Sequence, residues 1–157
     1  MHPNCIAIDA ILEAAGVPGR VRLLPEAAPT ATSAAEQLGV EVGAIANSLI
    51  FATAEDEPLL VMTSGAHRVD TATVAELAGT TALSRASADF VLAATGQRIG
   101  GVAPVGHPSP IRTIVDVDLA QYPTIWAAGG IPHAVFPMTY AELLALTGGQ
   151  PAVVAST

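Results

Sequence analysis

Sixteen residues from Thr95 to Pro110, TGQRIGGVAPVGHPSP, carry four glycines and three prolines. Gly100 and Gly101 lack a Cβ and sit side by side, so successive backbone N–H groups there can converge on one point. Pro104 stiffens the far side by fixing its own φ. Such a nest holds an anion, or a carbonyl oxygen as it takes on negative charge. The same composition also serves an ordinary turn, with Gly96 ending a helix.

Familiar nucleophile patterns are missing. Ser64 precedes Gly65 without the strand-to-helix context of a nucleophile elbow, and Cys5 near the terminus reads as a buried or merely free thiol. His2, His67, His107 and His133 show no metal-ligand spacing, so no metal is expected. Asp116 and Asp118, read as residues on one face of a strand, either chelate a cation or lie on a solvated sheet face. His133, following Gly129 and Gly130, is the most site-like histidine, though a plain loop residue fits its setting as well.

Composition narrows the chemistry further. The 157 residues fit one domain, taken as residues 1–157, and 51% are apolar while only 4% are aromatic. The core must therefore be built from Ala, Val, Leu and Ile. Fourteen acids face six bases, all of them arginine, for a formal charge of −8. A chain without lysine excludes a Schiff base or a P-loop lysine. Its acidity argues against a long phosphate-tracking groove and leaves a short nucleic-acid end, or a partner supplying the cations. A single cysteine, no leader-like start and apolar runs too short for a bilayer suggest a soluble, cytoplasmic protein with no membrane partner and no cofactor.

These residues need elements to position them. Ile8, Ile11, Leu12 and Ala15 recur at helical spacing before Gly16. VRLL reads as a short strand, and Ser33 with Glu36 as a capping box for a helix ending at Gly39. NSLIFAT (47–53) and PLLVMT (58–63), joined by an acidic turn, predict a hairpin. Asp70 and Ser87 are good N-caps for two further helices. RTIVDVD and TIWAA look like strands, and Thr139 with Glu142 caps a last helix. The tail GQPAVVAST is expected to fray. Irregular alternation with one hairpin predicts an α/β domain with a mixed sheet flanked by helices.

The order AAEQLGV, AIANSLIF, PLLVMTSGAHRVDTATVAELAG, TGQRIGGVAPVG, IVDVDL, IWAAGG, ELLALTG resembles the YbaK/ProX-type family of aminoacyl-tRNA editing deacylases, also found inserted in some bacterial prolyl-tRNA synthetases. The likeness runs from about Thr32 to Gly148, and its most specific block matches T-G-y-x-x-G-G-[VI]-[SA]-P-x-G. The resemblance implies a single domain whose mixed sheet curls towards a barrel, with a pocket for the aminoacylated 3′ end of a tRNA. It also implies hydrolysis in trans of the ester joining a wrong amino acid to that end, with an aminoacyl-tRNA synthetase as a possible further partner. Gly100, Gly101, Val102, Ala103 and Pro104 match the family's G-x-x-x-P element, which presents backbone groups to the ester. An aminoacyl ester is already activated, so a positioned water, oxyanion donors and a neighbouring ribose hydroxyl suffice without a side-chain base.

Two positions depart from the family pattern. Relatives commonly carry lysine where this chain has Asn47, which offers hydrogen bonds without charge. Only Arg68 or Arg98 is then expected to contribute a cation. After Gly129 and Gly130 the chain reads IPHAVF, so His133 takes the place of the relatives' basic residues. The expected substrate-binding set is Asn47, Ser64, Arg68, Gly129 and His133, around a small misattached amino acid. The rival reading is a weak or inactive module binding an amino acid, a nucleotide or a synthetase. A hydrolase of another small ester or amide is a third.

Overall fold

The computed structural model describes residues 1–155. Its elements run α1 (Pro3–Ala14), β1 (Arg22–Leu23), α2 (Ala31–Leu38), β2 (Ile45–Thr53), β3 (Pro58–Ser64), α3 (Thr71–Ala78), β4 (Leu83–Arg85), α4 (Ala88–Thr95), β5 (Arg112–Asp116), β6 (Ile125–Ala128), β7 (Ala134–Met138), α5 (Tyr140–Thr147) and β8 (Gln150–Ala152). Short 3₁₀ turns cover Val42–Ala44 and Val117–Gln121. The predicted hairpin forms in register, with Ala46 opposite Ser64 and Ala52 opposite Pro58.

All eight strands join one mixed sheet in the order β1-β7-β6-β2-β3-β5-β8, with β4 added to β2. Pairings of β2 with β6, β3 with β5 and β5 with β8 are parallel, and the rest are antiparallel. The mixed sheet flanked by helices is as expected, but the curl stops short of closure. Among the described residues no pairing joins β1 to β8.

Helices cover both faces because strand side chains alternate. Ile8 and Leu12 of α1, Val91 of α4 and Leu143 of α5 pack with Ala46, Ile50, Leu60, Met62 and Val115 on one face. On the other, Ala34 and Ala35 of α2 meet Ile45 and Val135, while Val74 of α3 meets Phe51, Leu59, Val61 and Ile114.

The caps at Asp70, Ser87 and Thr139 form as read, and Thr139 with Glu142 makes a complete capping box. Three expectations need correction. The cap of α2 is Thr30 and not Ser33: the Thr30 hydroxyl accepts the Ser33 N–H at 3.1 Å, so the helix begins one turn earlier. Asp118 does not share a strand with Asp116, because β5 ends at Asp116, whose Oδ1 caps the following 3₁₀ turn at the Asp118 N–H. The tail does not fray where it is described: Gln150–Ala152 pairs with β5 and Val154 is fully buried. Ser156 and Thr157 of that tail lie outside the described residues.

One irregularity positions the site. β3 lines one whole edge of β2, but two strands share the opposite edge. β6 pairs at Ile45 and Ala46, β4 at Phe51, Ala52 and Thr53. The sheet therefore forks, and Asn47, Ser48 and Leu49 have no strand beside them on that side. In the antiparallel ladder the Gly65 N–H donates to Ile45 and the Thr53 N–H to Glu57, so odd-numbered residues bond to β3. By the same alternation Ser48 directs its main-chain N–H and C=O at the fork.

Candidate functional site

A cavity of about 610 Å³ occupies this fork. Its lining draws on both faces of the sheet. Ala46, Ile50, Val91, Val102, Ala127 and Ala134 come from the larger core, while Ile45, Leu49, Phe51, Trp126 and Val135 come from the opposite side. The first set is small and apolar. Charge enters from Arg68 and Arg85, with His67 also in the lining, and no Asp or Glu is among the lining residues. In a chain of net charge −8, the wall of this cavity carries cations alone.

The Gly/Pro loop borders the cavity through Gly100 and Val102. Its amides divide by alternation. The Gly101 N–H donates to the Arg98 carbonyl at 3.0 Å, and the Ala103 N–H to Gln97 Oε1 at 2.7 Å. Those two tie the loop down. Among the described residues the N–H groups of Gly100 and Val102 find no protein acceptor, and both residues line the cavity together with Ile99.

The two glycines lack side chains for different reasons. Gly100 has φ +92, a backbone that L residues rarely adopt, although a Cβ there would meet only Pro132 Cγ at 4.0 Å. A Cβ on Gly101 would lie 2.5 Å from the Ile131 carbonyl carbon and 2.8 Å from the Pro132 nitrogen. The loop therefore rests directly on the 131–132 backbone.

The remaining predicted residues separate into those at the cavity and those behind it. Asn47 and Arg68 line it, and among the described residues no protein group hydrogen-bonds the Asn47 amide. Ser64 is buried with its hydroxyl donated to the Gly43 carbonyl at 2.8 Å. Gly129 packs against Val21 and Ala134, and its N–H donates to the Ala134 carbonyl. His133 is half-buried and contributes its carbonyl to the Leu24 N–H, while its neighbours Pro132 and Ala134 reach the cavity. Pro104 borders a smaller hollow of about 300 Å³ behind the loop, with His107. Arg98 is exposed and outside the lining.

Two lining residues were not singled out from sequence. Arg85 arrives because β4 pairs it with Phe51, placing its guanidinium 5.9 Å from that ring. His67 is fixed by two carboxylates: Nδ1 lies 2.8 Å from Asp116 Oδ2 and Nε2 3.0 Å from Asp118 Oδ2. Asp116, 1% exposed, also accepts the Ser64 N–H at 3.0 Å. The three side chains offer ligand atoms within 4.8 Å of one another, as a cation site would, and here both ring nitrogens of His67 face carboxylate oxygens. The network ties the segment carrying Arg68 to the end of β5.

The open mixed sheet flanked by helices agrees with what related structures show. The chain belongs to the aminoacyl-tRNA editing domain family, whose profile matches residues 25–146. It is 32% identical over 114 residues to the uncharacterized protein YwhH of Bacillus subtilis, covering 73% of this chain and 72% of that one. It is 26% identical over 121 residues to "Putative Cys-tRNA(Pro)/Cys-tRNA(Cys) deacylase EbsC" of Enterococcus faecalis, covering 77% and 74%. A crystal structure of "a putative trans-editing enzyme for prolyl tRNA synthetase" superposes with a TM-score of 0.92 at 40% identity, covering 100% of this chain and 99% of that one. No helix among the described residues is long and apolar enough to cross a membrane.

Proposed function

We propose that this editing domain is a trans-acting deacylase that hydrolyses the ester between a small amino acid and the 3′ end of a tRNA. The observation that carries the reading is the pair of unpartnered N–H groups at Gly100 and Val102, bordering a cavity whose charged lining groups are all basic. Those amides are suited to an oxygen that becomes negative as water adds to the ester carbonyl. One such donor is typically worth ~10²–10³ in rate. Arg68 and Arg85 suit the phosphates of a tRNA terminus.

No carboxylate lines the cavity, and both His67 nitrogens already face carboxylates. Activation of the water falls to the substrate's own neighbouring ribose hydroxyl. The tetrahedral intermediate then expels the other ribose oxygen, which leaves as a hydroxyl with the proton the water lost. Asn47 supplies uncharged hydrogen bonds to the terminal ribose or phosphate, and the Ala/Val/Ile-lined side of the fork receives a small apolar side chain. The names of the Enterococcus relative and of the similar crystal structure, a Cys-tRNA deacylase and a trans-editing enzyme for prolyl-tRNA synthetase, make mischarged tRNA(Pro) the first substrate to try.

The test is amino-acid release from tRNA(Pro) charged with cysteine, alanine or serine. The expected result is release well above buffer on at least one of them. Rates equal to buffer on the whole panel would leave a binding module as the better reading.

A further inference from the structure

Gln97 is 3% exposed, lies outside the cavity lining and is bonded at both ends of its amide. Its Oε1 accepts the Ala103 N–H at 2.7 Å and its Nε2 donates to the Val105 carbonyl at 3.1 Å. The residue itself is anchored. Thr95 Oγ1, fully buried, accepts the Gln97 N–H at 3.0 Å and lies 3.0 Å from the Gln97 carbonyl oxygen and 2.7 Å from that of Val91 in α4. One side chain thus bridges the end of α4 to the far end of the Gly/Pro loop, and the segment between its attachment points contains Gly100 and Val102.

These bonds bear on which amides are free. If the Ala103 N–H lost Gln97 Oε1, it would be a buried donor without a partner, and turning that peptide to reach another acceptor would rotate the one before it. We propose that Gln97 is the positioning residue of the oxyanion cradle, holding Ala103 and Val105 so that the Gly100 and Val102 amides point at the ester. This rests on the deacylase reading above. A side chain that merely filled space would be replaced without loss by methionine, which has similar length and no hydrogen-bonding amide.

The experiment compares full-length wild type, Gln97→Met and Gln97→Glu on tRNA(Pro) charged with cysteine or alanine, alongside amide hydrogen exchange. For Gln97→Met, kcat is expected to fall about a hundred-fold, the order associated with misplacement by ~1 Å, with KM within about two-fold because Arg68 and Arg85 are untouched. Exchange at Ala103 should rise while the β2 and β3 amides keep their protection. Wild-type kcat in a folded Gln97→Met protein overturns the proposal. Should that variant fail to fold, Gln97→Glu decides by its pH profile. A protonated carboxyl reproduces both bonds, its O–H donating to Val105 and its carbonyl accepting from Ala103, whereas a carboxylate faces the Val105 carbonyl with no hydrogen. The rate of Gln97→Glu relative to wild type should climb as pH falls from about 8 to 5.5, burial having raised the Glu pKa; a flat ratio overturns the proposal. If the wild type itself releases none of cysteine, alanine and serine faster than buffer, it is the deacylase reading that fails. Unchanged exchange and chemical shifts at Gly100, Val102 and Ala103 in Gln97→Met would independently sink the positioning role.

Discussion

At Gly100 and Gly101 the sequence pointed to a loop that borders the cavity, for an incomplete reason. Two neighbouring glycines suggested convergent amides, yet the Gly101 N–H is tied to Arg98 while those of Gly100 and Val102 have no acceptor among the described residues, and Gly101 is small because the 131–132 backbone crosses it. No local pattern announces a contact with a strap so distant in the chain. The two positions should respond differently to alanine. Gly100→Ala meets open space but must hold φ +92, so its denaturant midpoint should drop by the equivalent of about 1–2 kcal/mol. Gly101→Ala must move main chain, and it should lose both stability and nearly all deacylation. Arginine placement was half legible. Arg68 follows the hairpin closely enough to be guessed, whereas Arg85 reaches the cavity through β4, a three-residue strand with no signal of its own. Arg68→Gln and Arg85→Gln should each raise KM several-fold and flatten the salt dependence by about one phosphate contact. Arg98→Gln, outside the lining, should do neither.

Among the elements, helix starts were legible because a cap acts within three residues of itself. Asp70, Ser87 and Thr139 each accept the N–H groups that their spacing promised. Strands that depend on remote partners were not. β7 contains Pro137, which argues against a strand in any sequence reading. Its nitrogen, however, faces the edge where β1 has already ended, since β1 pairs only with Ala134 and Val135. β8 is likewise three residues held by β5 alone. The segment joining β3 to α3 carries Arg68 and hangs from Asp116 through Ser64 and His67. Asp116→Ala should destabilise the fold by about 1.5–3 kcal/mol, the scale of hydrogen bonds to a buried charge, and should raise KM as Arg68 loses its support. Behind the Gly/Pro loop, His107 Nε2 sits 2.8 Å from the Ala103 carbonyl, and burial lowers its pKa against that hydrogen bond. The unfolded chain therefore protonates this residue first as pH falls. Its contribution to stability is present above the ordinary histidine pKa of about 6.5 and is lost as pH drops from there towards the depressed folded value. Denaturant midpoints measured from pH 7.5 to 5 should show this decline, and His107→Gln should flatten it.

Across the whole molecule, an acidic protein concentrates basic side chains at one opening. For an RNA substrate its long-range field is repulsive and only Arg68 and Arg85 offer cations at the cavity, so affinity should be modest. The slope of log affinity against log salt should be about −1.4, the value for two contacts on a single strand. A steep slope would mean that another surface takes part. The mixed sheet flanked by helices followed from the alternation of apolar runs, but the split along β2 did not, because it depends on where two other strands stop pairing. That split makes the fold unfinished in a useful sense. Among the described residues no strand pairs with Ser48 on that side, so on the deacylase reading an acyl group lodged there would act as a keystone, bracing the β6 side against the β4 side. Departure of the product would undo that brace, leaving the empty protein softest along the seam where the next substrate must enter.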